Sequence, residues 1–160
     1  MKNAIAARKQ TPANSINMPV NRLGRSYIYD PTASRMISLP TDWRIYHFTD
    51  RAWIGGSIDG QAYLHVEKMP SGKNTLPTIW AEEDLDLYIC TTSQEKISNN
   101  NTTSADVAGS FADQAVEGII SKIEINAKEA YLVLMIGGEN AINLDLESAA
   151  RAIAKSMVGI

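Results

Sequence analysis

Short apolar runs broken by turn residues dominate the first half of the chain. Tyr27-Ile28-Tyr29 is a β-type run ended by the turn pair Asp30-Pro31, and Met36 to Leu39 is a second, stopped by Pro40. Trp43 to Phe48, rich in aromatic and β-branched residues, predicts a third strand. Ala52 to Ile58 and Gln61 to Lys68 flank Asp59-Gly60. An Asp-Gly pair between two such runs signals a hairpin, because both central residues of a type I′ turn need positive φ. A two-residue turn there also sets the register, placing Tyr63 opposite Gly56 and His65 opposite Ile54.

The second half mixes periods. Met69 to Leu76 is loop-like, with Pro70, Gly72 and Asn74. In Trp80 to Ile89 the acidic residues crowd the start, which predicts a helix N-terminus, and a helix is the preferred reading, although the alternation of Leu85, Leu87 and Ile89 would also suit a strand. Thr103-x-x-Asp106 has the form of a capping box, and Ala108, Phe111, Ala112, Ala115 and Ile119 follow at helical spacing, so a second helix is predicted, weakened by Gly109 and ended near Gly118. Ile119 to Ile125 and Ala130 to Ile136 read as strands. The unbroken apolar run from Tyr131 to Ile136 predicts a central strand covered on both faces. Leu146, Ala149, Ala150, Ile153 and Met157 form one stripe of a final helix, with Glu147 and Arg151 as an attractive i,i+4 pair. Together these elements predict one α+β domain over residues 26–160, a mainly antiparallel sheet with two or three helices packed on it. A flexible basic leader, residues 1–25, precedes it.

Charge sharpens that division. Residues 1–35 carry Lys2, Arg8, Lys9, Arg22, Arg25 and Arg35 against Asp30 alone, while residues 36–160 hold nine basic and seventeen acidic side chains. The leader has no apolar h-region of a secretory signal, so a cytoplasmic chain is expected. Arg8, Lys9, Arg22 and Arg25 are candidates for an acidic protein partner or, as a third reading, for phosphate or nucleic acid. The net charge of −3 argues against a wholly basic nucleic-acid binder. No apolar run approaches the ~20 residues of a membrane-spanning helix.

Chemistry-bearing motifs are sparse. His47 and His65 are the two histidines, and their spacing matches no zinc pattern. Cys90 is the single cysteine, excludes an intramolecular disulfide, and is expected to be a buried packing group. Glu82, Glu83, Asp84 and Asp86 form the densest acidic cluster but lack the Asp/Asn alternation and glycine of a calcium loop. Gly55-Gly56 and Gly137-Gly138 lack the context of phosphate loops, and no serine sits in a nucleophile elbow. No cofactor is implied. Trp43, Trp53, Tyr63 and Trp80 are therefore the candidate anchors of a protein interface, since Trp and Tyr dominate such contacts.

The piece Ile37-Ser38-Leu39-Pro40-Thr41-Asp42-Trp43 resembles the apolar-Pro-x-x-Trp opening of PsbP/DcrB-like domains. The Pro-bearing loop after Ala62 to Pro70, and the closing strand, glycine turn and stripe from Leu146 to Met157 with Ser156, are similar to the same family. The resemblance spans about 120 residues. It implies a twisted antiparallel sheet with helices packed on it and no catalytic apparatus. Relatives of that kind include photosystem accessory proteins, a periplasmic lipoprotein and cytoplasmic chaperones of type VI secretion effectors, and the chain stands nearest the last group.

The expected function is thus a non-catalytic protein-binding module: a chaperone, adaptor, immunity protein or inhibitor, with homodimerisation open to it. The alternative is a small-ligand-binding protein or enzyme with a pocket near His47 or His65 and a carboxylate from Glu82–Asp86.

Overall fold

The computed structural model describes residues 24–72, 76–98, 101–138 and 145–158. The leader positions Arg8, Lys9 and Arg22 lie outside them. Eleven strands and one helix make up the described chain: β1 (Tyr27–Asp30), β2 (Arg35–Ser38), β3 (Trp43–Phe48), β4 (Ala52–Ser57), β5 (Ala62–Pro70), β6 (Ile79–Glu82), β7 (Leu87–Thr91), β8 (Lys96–Ser98), β9 (Thr102–Phe111), β10 (Gln114–Glu124), β11 (Glu129–Gly137) and α1 (Leu146–Met157). β1 and β2 form a separate hairpin. The others form one antiparallel sheet in the order β3-β4-β5-β11-β10-β9-β7-β6, with β8 paired to β9. This sheet curls into a half-barrel. The architecture is mostly β and corrects the α+β expectation of two or three helices.

Both missing helices are hairpins. Phe111 pairs with Gln114, and the two residues between them, Ala112 and Asp113, have φ of 51° and 66°. That is the backbone of a type I′ turn, built here from Ala-Asp rather than Asn-Gly. The apparent helical spacing of Ala108, Phe111, Ala112 and Ala115 is two strands read across their turn. In the stretch from Trp80 to Ile89, Glu82 ends β6, Glu83 and Asp84 lie in a single 3₁₀ turn, Glu83–Leu85, and Asp86 at φ 53° reverses the chain into β7. The strand alternation of Leu87 and Ile89 prevails because both side chains are buried.

The β4–β5 register is the expected one: Ile54 pairs with His65 and Gly56 with Tyr63. The turn differs from the expected type I′. Of Asp59 and Gly60 only Gly60 has positive φ, and its N–H donates to the Ser57 carbonyl at 3.0 Å. The Ser57 hydroxyl ties the corner, accepting from the Ala62 and Gln61 N–H groups and donating to Asp59.

Strand alternation sends the core to two faces. The outer face holds Ile45, Trp53, Leu64, Val66, Ile123, Tyr131, Val133 and Met135, covered by the β1–β2 hairpin through Ile28 and Ile37 and by α1 through Ala150, Ile153, Ala154 and Met157. The inner face of the curl holds Tyr63, Leu87, Ile89, Val107, Phe111, Val116, Ile120, Leu132, Leu134 and Ile136. β11 is buried on both faces, as its continuous apolar run requires. Each fully buried aliphatic or Phe side chain contributes roughly 1.5–3 kcal/mol. Asp145 caps α1 by accepting from the Ser148 N–H at 2.9 Å, and Glu147 pairs with Arg151 at 3.0 Å.

Candidate functional site

Period-two spacing on β5 puts Tyr63, His65 and Glu67 on one face, the inner one. The Tyr63 hydroxyl lies 3.2 Å from His65 Nδ1, and His65 Nε2 lies 3.1 Å from a Glu67 carboxylate oxygen. An ionised carboxylate only accepts, so Nε2 carries the proton donated to Glu67 and Nδ1 accepts from Tyr63. The curl brings β6 back over β5. The Trp80 ring meets the His65 ring edge-on, with centroids 4.8 Å apart, and its indole N–H donates to Glu82 at 3.1 Å. Tyr63 packs edge-on against Phe111 at 5.2 Å. Burial, with the nearby Glu82 charge adding to it, pushes the Tyr63 hydroxyl pKa well up, so it stays protonated.

A second polar group lies along the same face. Lys122, almost wholly buried, pairs with Glu124 at 3.1 Å and donates to the Gly72 carbonyl at 3.1 Å; the Ser71 hydroxyl donates to Glu124. Burial alone would raise the Glu124 pKa, but the hydrogen bonds from Ser71 and Lys122 and the lysine charge hold it below its ordinary value.

The third group is on the outer face. Asp30, fully buried, pairs with Lys68 at 2.8 Å and accepts from the Tyr131 hydroxyl and from Thr32. Arg35 donates to Tyr131 and Glu129, each at 3.0 Å. This network clamps the β1–β2 hairpin to β5 and β11. Burial pushes the Asp30 pKa up, and the hydrogen bonds from Lys68, Tyr131 and Thr32 outweigh it, leaving a net lowering. A carboxylate with a depressed folded-state pKa stabilises the fold above its unfolded pKa of about 3.9, and that contribution is lost as pH falls through the folded value. The urea midpoint is therefore expected to drop between neutral pH and about pH 3, and Asp30→Asn to flatten that dependence. An unchanged slope in the variant would exclude Asp30 as its source.

These placements revise the candidate interface. Trp43, Trp53 and Tyr63 are buried core side chains and offer no surface to a partner. Trp80 is half-buried against His65. Arg25 is exposed, its guanidinium 4.0 Å over the Phe48 ring, and its backbone pairs with Ile45. His47 and His65 stand in one cross-strand row with Ile54 between them, so they are two strands apart and share no site. His65 meets Glu67 instead, a partner legible in the Tyr63-x-His65-x-Glu67 alternation. Of the acidic cluster, Glu82 reaches Trp80, while Glu83, Asp84 and Asp86 are exposed. Cys90 is exposed rather than buried, because β7 turns it to the outer face, where α1 does not reach. Among the described residues no three His, Cys, Asp or Glu side chains group to hold a metal ion.

Among the described residues, nothing covers the outer face of β9, β7 and β6. Register places Ile79 beside Cys90 and Ala108, and Ala81 beside Tyr88 and Ser110. Ile79 is 56% and Tyr88 51% exposed. Next to them, a groove of about 860 Å³ runs between β9, β10 and the start of α1, lined in part by Lys96, Asp106, Glu117, Asp145 and Glu147.

Fold and site together define a mostly-β protein with an internally paired polar interior and a half-uncovered sheet. No protein-family model matches the chain, and no curated protein matches it. Among the described residues no helix is long and apolar enough to cross a membrane.

Proposed function

We propose that this protein is a non-catalytic binding module for a protein partner, a chaperone, adaptor, immunity protein or inhibitor, and that it docks through the open outer face of β9, β7 and β6. The observation that supports this reading is the exposure of Ile79 and Tyr88 on adjacent strands, beyond the cover of α1 and the β1–β2 hairpin. Large apolar side chains exposed together are what a partner desolvates. The flanking carboxylates give such a surface a charge preference and steer encounter. The resemblance to PsbP/DcrB-like chaperones belongs to this proposal, as does a cytoplasmic setting, with which the unpaired Cys90 is compatible. A catalytic or ligand pocket around His65 draws less support, since both ring nitrogens are already engaged by Tyr63 and Glu67.

Affinity capture from native lysate, comparing wild type with Ile79→Glu/Tyr88→Glu, tests the reading. Both positions are exposed, so the variant is expected to keep the wild-type circular dichroism and melting curve. A stoichiometric protein recovered by wild type and lost by the variant is the expected outcome. No recovered protein, or equal recovery by both, overturns the proposal.

A further inference from the structure

The sheet has two ends, and they are finished differently. At β3, the edge is closed by Arg25, whose backbone exchanges two hydrogen bonds of 2.8 Å with Ile45, and the register shifts between Ile45 and His47. A bulge and a covering segment are how edge strands are shielded from further pairing. β6 lacks both features among the described residues: it ends the strand order and pairs only with β7.

The backbone phase on β6 follows from one bond. The Thr91 N–H donates to the Thr78 carbonyl at 3.0 Å, which makes Thr78–Thr91 a hydrogen-bonded pair. Antiparallel pairs alternate, so Trp80 and Glu82 turn their peptide groups toward β7, while Ile79 and Ala81 turn theirs outward. Ile79 and Ala81 are also exposed. Two N–H and two C=O groups therefore stand on an accessible edge, beside the apolar face carrying Ile79 and Tyr88.

We propose that β6 receives an extended segment of the partner as an added strand, hydrogen-bonded to Ile79 and Ala81, with a Lys or Arg of that segment meeting Glu83, Asp84 and Asp86. This rests on the protein-binding reading above and names its partner's chemistry. Strand addition draws affinity from the main chain and specificity from alternate side chains. The three exposed carboxylates just past β6 supply the charge preference. A second copy is the weaker fit: β6 is Ile-Trp-Ala-Glu, and a two-fold pairing of it brings no cation to those carboxylates.

The test uses the full chain and a fluorescein-labelled synthetic peptide of alternating Val and Thr ending in two Lys, read by anisotropy. Saturable binding is expected, with slowed amide exchange at Ile79 and Ala81. Ala81→Pro removes an outward N–H without touching the β7 ladder and is expected to weaken binding roughly tenfold, the scale of one lost hydrogen bond. If that variant does not fold, the same peptide N-methylated at alternate amides replaces it, with a similar loss expected on wild type. No saturable binding up to about 1 mM, or binding indifferent to both changes, overturns the proposal. A dimer in sedimentation that Ala81→Pro dissolves overturns it in favour of a second copy. If the peptide fails while the lysate partner is still captured, the strand edge falls and the binding-module reading stands; if no partner is captured, that reading falls first.

Discussion

Gly118→Val is expected to leave the protein unfolded or insoluble. Strand propensity alone would favour the substitution, since Val suits a sheet and Gly does not. Gly118 sits mid-strand in β10, paired to Ile136 on one side and Val107 on the other. A Cβ built there would overlap the Met135 carbonyl oxygen and come within 2.7 Å of the Ile136 Cα. Both are backbone atoms of the central strand, held by pairing on two sides, so neither can move aside. The cost is on the order of 4 kcal/mol or more, a large part of the roughly 5–15 kcal/mol available to a domain. Soluble yield and far-UV circular dichroism would measure it; a variant melting near wild type would mean that the strands can separate locally at Gly118.

The second large effect is expected from Lys68→Met. Lys68 is the cation nearest the fully buried Asp30. Removing one partner of a buried pair leaves an uncompensated charge, which costs about 3–5 kcal/mol, whereas removing both charges is far milder. The single variant should melt well below wild type, and Asp30→Asn/Lys68→Met should regain at least half of the loss, since Asn keeps a carbonyl acceptor for the Tyr131 hydroxyl. Chemical denaturation of both single variants and the double variant closes the cycle. An additive double variant would show that the two side chains are not energetically coupled.

The elements legible in the sequence are those where one local signal met no competitor. Asp59-Gly60 placed Tyr63 opposite Gly56 even though the turn itself is of another type. The run from Tyr131 to Ile136 marked the central strand, and the stripe from Leu146 to Met157 marked the helix. The two misread stretches are those whose turns carry unusual residues. Ala112-Asp113 adopts a left-handed turn without Gly or Asn, so nothing local separated β9 from β10, and the alanines on either side imitated a helical face. Glu83 to Asp86 looked like the start of a helix because acidic residues suit a helix N-terminus and a 3₁₀ turn alike. The interface candidates were misplaced for a different reason. Composition favours Trp and Tyr as anchors, but Trp43, Trp53 and Tyr63 alternate into the two core faces. Burial of this kind depends on which strands lie on either side, and the β5–β11 neighbour relation is set by tertiary pairing far along the chain.

That same relation has a kinetic side. β5 finds its second neighbour in β11, and Val66 pairs with Val133, 67 positions later. During synthesis β3, β4 and β5 are complete long before residues 129–137 leave the ribosome. Until then β5 exposes an unsatisfied edge, Leu64 and Val66 on one face and Tyr63 on the other. Pairing between such distant segments is slow, because loop-closure entropy must be overcome before any contact rewards it. The nascent chain therefore passes through a stage in which a strand apolar on both faces waits for a partner not yet made, and slow refolding with concentration-dependent loss is the behaviour such an order of assembly produces.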